Sequence, residues 1–345
     1  MPAEAPYADF ISVLADAHAQ PLWDRYGRVT RRNPAAPDEP MQWAWADMSP
    51  LIDRAVKEVT MQDAERRVLL LTHPAFKDSY ATTTNLSAGL QTLLPGEMAR
   101  AHRHTLQAIR FVMQGNGAVT SVNAQSNLMQ EGDLVLTPSW TWHEHTHPGT
   151  ERVVWFDGLD LPLCRDIDTM FFELEGPDKT TFDPPPTRSP AFKKDAAMLK
   201  PDSDDAAGSG DANKPSGFRF AWKRAEKALQ TASSAADGSR LLRYVSGESL
   251  GAVLPTLDCY LQSFELNQPT QAYRSTSNAI CVVAQGQGSS SVGSKTFNWR
   301  KNDVFTLPHW NWVSHTAASS DAIIFMMTDR ELLASLGYLK DETAT

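Results

Sequence analysis

Apolar and polar positions change period along the chain. In residues 1–60, Phe10, Ile11 and Leu14, and later Leu51, Ile52, Ala55 and Val56, fall at helical spacing, which predicts amphipathic helices. TRRNPAAPDEP between them predicts a turn-rich connection. From Val68 the pattern becomes a series of short runs rich in Val, Leu, Thr and Trp and broken by Gly and Pro: VLLLTHP, NLSAGLQTLLPGE, HRHTLQAIRFVMQG, AVTSVN, DLVLTPSWTWHEHTHPG and RVVWFDGLDLPL. Short strands at this spacing predict an all-β sandwich or barrel. A second series, from about residue 256 to 329, reads the same way. Residues 176–216 hold few apolar positions and much Pro, Asp, Ser, Gly and Ala, which predicts an exposed, partly disordered linker. WKRAEKALQTA (222–232) predicts a helix entering the second series. DRELLASLGYLKDE (329–342) predicts another, capped by Asp329 with Leu332, Leu333 and Leu336 on one face.

The second series repeats the first. Residues 91–118 align without a gap on 262–289, and 131–145 align on 301–315 after a one-residue shift. The framework survives in both: Gly115/Gly286, Gly117/Gly288, Pro138/Pro308, Trp140/Trp310 and Trp142/Trp312. The chemistry does not. His102 becomes Tyr273, His104 becomes Ser275, Arg110 becomes Cys281 and His143 becomes Val313. What both repeats share is read as the fold, and what only the first holds as the active site. By that rule the paired tryptophans are expected to pack the common core.

Composition narrows the partners. A chain of 345 residues is long enough for two domains, each with its own core. A net charge of −9 argues against nucleic acid, whose phosphates need clustered Lys and Arg. Cys164, Cys259 and Cys281 are too few and scattered for a disulfide framework or a zinc site and suit a reducing compartment. MPAEAPYADFISV has no basic start and no long apolar run, so neither a signal peptide nor a membrane span is expected, and the location expected is the cytoplasm.

His102 and His104 sit two apart in a predicted strand, so both rings face one side. His143 and His145 share parity in a second strand. If the sheet closes, one of this second pair meets the first pair, giving three imidazoles for Fe(II), Mn(II), Ni(II) or Zn(II). The register from Pro138 favours His143 as the third ligand over His145. Arg110 has the parity of His102 and His104 and points inward if the strand stays regular that far. A buried guanidinium needs an anion. That anion is either a structural Asp or a carboxylate held in the guanidinium fork. His145 suits a general acid or base or a hydrogen-bond donor. Its counterpart His315 leaves a scaffold role equally open.

Gly96-x5-His102-x-His104 followed by Gly115 resembles the first cupin motif, and Gly132-x5-Pro138-x4-His143 the second. Cupins usually carry a Gly at Trp140 and a Glu ligand after the His pair, where Ala108 and Ile109 stand here. Both departures resemble the gentisate 1,2-dioxygenase-like bicupins, which include salicylate and 1-hydroxy-2-naphthoate dioxygenases. HRHTLQAIRF, GDLVLTPSWTWHEH, WFDGLDLPL, ERRVLLLTHP and the C-terminal DRELLASLGYLKDE carry the likeness.

The resemblance implies a bicupin: two tandem double-stranded β-helix (jelly-roll) barrels with a helical N-terminal arm and a linker helix. The boundaries expected are 1–66 for the arm, 67–175 for the catalytic cupin, 176–240 for the acidic linker and its helix, and 241–345 for a degenerate, metal-free cupin. It implies one Fe(II) on His102, His104 and His143, with Arg110 and His145 at the substrate. It further implies contacts from Gln91, Arg66 and Asp157. A solvated helix end for Arg66 and a turn role for Asp157 stay open. Three neutral ligands leave the metal its full charge and open positions, which suits an ortho-hydroxy aromatic acid and O2. The expected reaction is ring opening of gentisate to maleylpyruvate. Salicylate, a substituted salicylate or 1-hydroxy-2-naphthoate are the alternatives, and a homotetramer the expected assembly. A cupin isomerase, decarboxylase or lyase, or a non-catalytic binder of aromatic acids, are the rival classes.

Overall fold

The computed structural model describes residues 5–77, 79–175, 197–202, 217–247 and 249–344. Most of the predicted linker, 176–196 and 203–216, lies outside the described residues. The segment Met1–Ala35 forms a unit of its own. It holds helices Ala5–Asp16 and Tyr26–Val29, and in it Tyr7 donates to Asp24 Oδ1 (2.6 Å) and accepts from Trp23 Nε1 (2.9 Å). The rest of the chain is one unit and carries both repeats. Among the described residues no helix is long and apolar enough to cross a membrane.

Each repeat folds into two facing antiparallel sheets. In the first, Val68–Leu70, Ser87–Leu93, Val153–Leu159, Ala108–Gln114 and Leu134–Thr137 form one sheet, and Met98–His104, His143–Thr146, Ala118–Val122 and Gln125–Met129 form the other. The second repeat follows the same plan, with Asp258–Ser263, Ile323–Thr328, Ala279–Gln285 and Val304–Leu307 against Tyr273–Ser275, Val313–Ala317, Gln287–Val292 and Lys295–Arg300. The turns explain the retained glycines. Gly115 has φ +83° and Gly286 φ +72°, and a Cβ on Gly115 would lie 2.1 Å from the Arg152 carbonyl oxygen.

Strand alternation then sorts side chains between two cores. In Ala108–Gln114, Ile109, Phe111 and Met113 leave the barrel and meet Phe325 and Met327 of the second repeat in one shared core. Phe111 and Phe325 stack at 4.3 Å between ring centroids. The alternate residues Arg110 and Val112 face the interior of their own barrel. There only a small apolar cluster, including Leu93, Val135, Val153 and Trp155, fills the space.

Contacts between the repeats are reciprocal. The short strand Gln42–Trp43, ahead of the first repeat, pairs with Val304 and Phe305 of the second. Arg219–Phe220, ahead of the second, pairs with Leu134 and Val135 of the first. Each runs through an alanine and a tryptophan into a helix, Trp45–Glu58 or Trp222–Thr231. A buried aspartate of the opposite repeat receives each helix start: Trp45 N donates to Asp303 Oδ1 (2.7 Å) and Trp222 N to Asp133 Oδ1 (2.9 Å). Likewise Thr256 donates to Asp160 (2.6 Å) and Asn85 to Asp329 (2.9 Å).

Two expectations need correction. The C-terminal segment is helical only over Arg330–Ser335, ends at Gly337 (φ +74°), and turns into strand Asp341–Thr343 beside Tyr273–Ser275. Asp329 makes no side-chain cap there; it accepts from Asn278 N (2.8 Å), as Asp160 accepts from Gln107 N (2.9 Å) in the first repeat. The tryptophans are not all core. Trp140 is buried, but Trp142 and Trp310 are half-buried and Trp312 is exposed. They survive in both repeats because each pair clasps a guanidinium. Arg103 lies 4.4 Å from the Trp140 ring and 4.9 Å from Trp142; Arg274 lies 4.4 Å from Trp310 and 4.7 Å from Trp312. Each arginine also pairs with a glutamate on the last strand of its repeat, Glu173 or Glu342.

Candidate active site

Strands Met98–His104 and His143–Thr146 lie side by side, with His102 opposite His143. Alternation turns His102, His104 and His143 inward, and the three bury to within a few per cent of full enclosure. Their ring centroids lie 5.2 Å (His102–His104), 4.1 Å (His102–His143) and 4.8 Å (His104–His143) apart. One ligand atom from each falls within 4.8 Å of the others, and no carboxylate joins this group among the described residues.

The tautomers suit a metal. His104 Nδ1 lies 3.1 Å from the Leu106 carbonyl and His143 Nδ1 2.9 Å from the Thr141 carbonyl. A carbonyl only accepts, so Nδ1 carries the proton in both rings and Nε2 keeps its lone pair. His143 Nε2 is buried with no hydrogen-bond partner. Burial first, then the charges of Arg66 and His104, lowers His102 to about 2; burial and Arg110 lower His104 to about 4. Burial and Arg110 push His143 well below its ordinary value. Three neutral imidazoles, two of them with the Nε2 lone pair free, fit a divalent cation. Arg66 complicates His102. Its Nη2 donates to the Arg100 carbonyl (2.8 Å) and lies 2.5 Å from His102 Nδ1. A ring that offers Nε2 to a metal has its proton on Nδ1 and accepts nothing there. Metal ligation through Nε2 and this Arg66 position exclude one another.

Arg110 points inward, as expected, but for another reason. The run from His102 is not one regular strand: it breaks after His104, and Arg110 lies on Ala108–Gln114 in the facing sheet. Arg110 turns in because Ile109 and Phe111 turn out to the shared core. It is buried, donates to Thr137, and lies 3.5 Å from Asp157 Oδ1 without a hydrogen bond between them. Burial pushes the Asp157 carboxyl up, and Arg110 and Arg66 hold it partly down. In the second repeat the facing pair Arg110–Asp157 becomes Cys281–Met326.

His145 Nδ1 lies 2.8 Å from Thr120 Oγ1, and its Nε2 is buried without a partner. Burial, then Arg110, lowers it well below its ordinary value. The second repeat keeps the same pair, His315 Nδ1 with Ser290 Oγ at 2.7 Å. That orientation therefore belongs to the scaffold. Gln91, which the sequence could not place, faces the same interior beside Trp155, and neither of its amide atoms has a partner.

Sequence reasoning missed Trp155 and Thr137. Trp155 is fully buried, its ring lies 5.2 Å from His145, and its Nε1 has no acceptor. The comparison that singled out the histidines could have found both: their register partners in the second repeat are the apolar Ile324 and Leu307. Unpartnered polar atoms of Gln91, Arg110, Asp157, His143, His145 and Trp155 thus face one barrel interior. Each unsatisfied buried group costs about 1–3 kcal/mol, so a cluster of them marks a place where a polar ligand belongs.

Residues 89–159 match the cupin domain family. The chain is 35% identical to gentisate 1,2-dioxygenase 1 of Aquipseudomonas alcaligenes, over 96% of this chain and 95% of that protein. It is 32% identical to 5-aminosalicylate 1,2-dioxygenase of a Comamonas species, over 95% of this chain and 88% of that protein. Its fold superposes on the crystal structure of a salicylate 1,2-dioxygenase from Pseudaminobacter salicylatoxidans with a TM-score of 0.84 and 25% identity, covering 99% of each chain.

Proposed function

Since the chain belongs to the gentisate 1,2-dioxygenase-like bicupins, we propose that its substrate is gentisate, opened with O2 between the carboxyl- and hydroxyl-bearing carbons to give maleylpyruvate. The chain is a ring-cleaving dioxygenase of hydroxylated aromatic acids. The isomerase, decarboxylase and simple-binder readings give way to that. We assign the catalytic unit to residues 67–175, the arm to 1–66, and a metal-free partner barrel to 241–345.

His102, His104 and His143 would hold iron(II), since all three are buried, neutral and free of a carboxylate partner. Iron, when bound, supplies open coordination positions and the electron path between ring and O2. The chain's own residues do the rest. Arg110, with Arg66 near it, neutralises the substrate carboxylate in a dry site where that charge cannot be hydrated. His145, neutral and fixed by Thr120, offers Nε2 to the proton of the hydroxyl next to the carboxylate. Gln91 offers both a donor and an acceptor.

Asp157 carries the choice of substrate. Its Oδ1 is buried without a hydrogen bond. A ring hydroxyl at position 5 would give it one, and gentisate has that hydroxyl where salicylate has hydrogen. An amino group at position 5 serves as well, which favours 5-aminosalicylate as the second reading. The exposed apolar side chains Phe10, Val13, Leu22, Trp23, Tyr26 and Val29 on the arm support an assembly contact, and we take the enzyme to be a cytoplasmic homotetramer.

The test is anaerobic reconstitution with Fe(II) followed by oxygen uptake with gentisate, 5-aminosalicylate, salicylate and 1-hydroxy-2-naphthoate. The expected order places the two 5-substituted acids first. A protein that turns over salicylate fastest would overturn the role of Asp157, and no uptake with any of the four would overturn the iron-dependent reading.

A further inference from the structure

The second barrel lacks the three histidines of the first and is only partly filled by its own core. Between its sheets lies a cavity of about 650 Å³, inside the range of roughly 300–1,000 Å³ usual for small-molecule sites. It occupies the place that the catalytic site holds in the first barrel: Tyr273, Ser275 and Val313, the counterparts of His102, His104 and His143, all line it. A barrel kept only as scaffold gains stability when such space is packed, because empty volume forfeits contacts.

We propose that this cavity binds an uncharged hydroxylated aromatic molecule, a phenol, distinct from the acid opened in the first barrel. The wall is mostly apolar, with Leu241, Ala279, Leu307 and Met326 beside the rings of Tyr260 and Tyr273. The Tyr273 hydroxyl and the Gln262 amide, both on the wall, make no hydrogen bond among the described residues. They offer a donor and an acceptor to a ligand hydroxyl. Charge separates the two barrels. The first holds Arg110 and Arg66 beside Asp157, with Glu65 next to Arg66. In the second, the one wall cation, Arg330, is matched by Asp341 through two parallel bonds of 2.9 and 2.7 Å, and Glu342 on the wall is itself paired with Arg274 and Lys340. A carboxylate entering there finds no uncommitted cation, so an anionic acid is excluded where a phenol is not.

The experiment is calorimetric titration of the iron-loaded enzyme, under nitrogen, with 2-naphthol and separately with 2-naphthoate. The expected result is one 2-naphthol per chain and binding of 2-naphthoate at least tenfold weaker at this site. Ala279→Phe fills the cavity and should weaken 2-naphthol at least tenfold while ring cleavage proceeds at the ordinary rate. Gln262→Leu keeps the volume and should weaken it severalfold. Arg110→Ala should leave it unchanged. Binding of 2-naphthol that survives both Ala279→Phe and Gln262→Leu, or that disappears in Arg110→Ala, overturns the proposal, as does equal binding of 2-naphthoate in the cavity. None of these outcomes bears on whether the first barrel opens gentisate.

Discussion

At the scale of single residues, the first barrel is organised around a buried ion pair whose facing atoms make no hydrogen bond. Arg110 is fully enclosed, and its carboxylate neighbour stands 3.5 Å away without a hydrogen bond. Such a cation suits a second anion, which the proposed function takes to be the substrate carboxylate. Arg110→Ala should therefore keep iron but raise KM by about 30- to 150-fold, the equivalent of about 2–3 kcal/mol for a charge-assisted bond. The double variant with Asp157→Ala separates lost substrate binding from the strain of an orphaned Asp157: if it restores KM, the guanidinium served only Asp157. Much of this site was legible in the sequence because the second repeat acts as an internal control. His102, His104, His143 and Arg110 all disappear there. Gln91 was harder, since Gln262 is retained and only the pairing of Gln91 with Trp155 shows which way it faces. His315 allows a pH test away from the metal site. Burial alone lowers it to about 4, while an unfolded histidine sits near 6.5. Below 6.5 the unfolded chain binds a proton that the folded chain refuses. Stability should therefore fall as pH drops from 6.5 towards 4 and level off below that. Between pH 6.5 and 5 this one group should cost about 1.5 kcal/mol. His315→Gln should flatten that part of the urea-midpoint profile, and an unaltered slope would place the acid sensitivity elsewhere.

At the scale of elements, the sequence revealed strands and the two repeats but not how they are tied. Short apolar runs marked the strands of both barrels, and the Gly and Pro between them marked the turns. The crossing strands were hidden because Gln42–Trp43 and Arg219–Phe220 are two residues each, too short for any period to register. The C-terminal strand was hidden for another reason. Leucines at helical spacing continue as far as Leu336, but Gly337 takes a positive φ and ends the helix, and Arg274 then draws Glu342 onto the edge of the sheet. What fixes the crossing strands is a buried aspartate. Asp303 accepts from Trp45 N (2.7 Å), Arg300 N (3.0 Å) and Gln42 Nε2 (3.0 Å), joining the crossing segment to its own turn at one carboxylate. Asp303→Ala should cost about 3 kcal/mol, on the order of 1 kcal/mol for each bond. Hydrogen exchange should rise in the Gln42–Trp45 backbone and leave the Arg219–Trp222 backbone protected, because Asp133 still holds that crossing. Uniform loss of protection at both crossings would show that they do not depend on separate anchors.

At the scale of the whole molecule, the second barrel is explained by the back of the first. The strand that carries Arg110 inward sends Ile109 and Phe111 outward, and the strand that carries Asp157 sends Phe156 the same way. Those side chains need an apolar partner, and the second repeat supplies Phe325 and Met327 from a strand whose alternate residue, Met326, lines its own cavity. Gly158, next to Asp157, is packed so closely that a Cβ there would lie 2.3 Å from Met327 Sδ. The geometry of Arg110 and Asp157 thus rests on a surface that the second barrel provides, which is a physical reason for a second barrel that carries other residues at the histidine positions. Two barrels that share one core should also unfold together. Phe325→Ala removes the ring stacked on Phe111 and should cost about 3–5 kcal/mol, the usual range for truncating a buried Phe. In calorimetry the wild type should melt in one transition from Ala36 onward, and the variant in one transition at lower temperature. Gentisate turnover should fall even well below that melting temperature, because the strands that carry Arg110 and Asp157 lose part of the apolar surface that backs them. Two resolved transitions with only one shifted would mean that the barrels are coupled through the crossing strands and not through their common core.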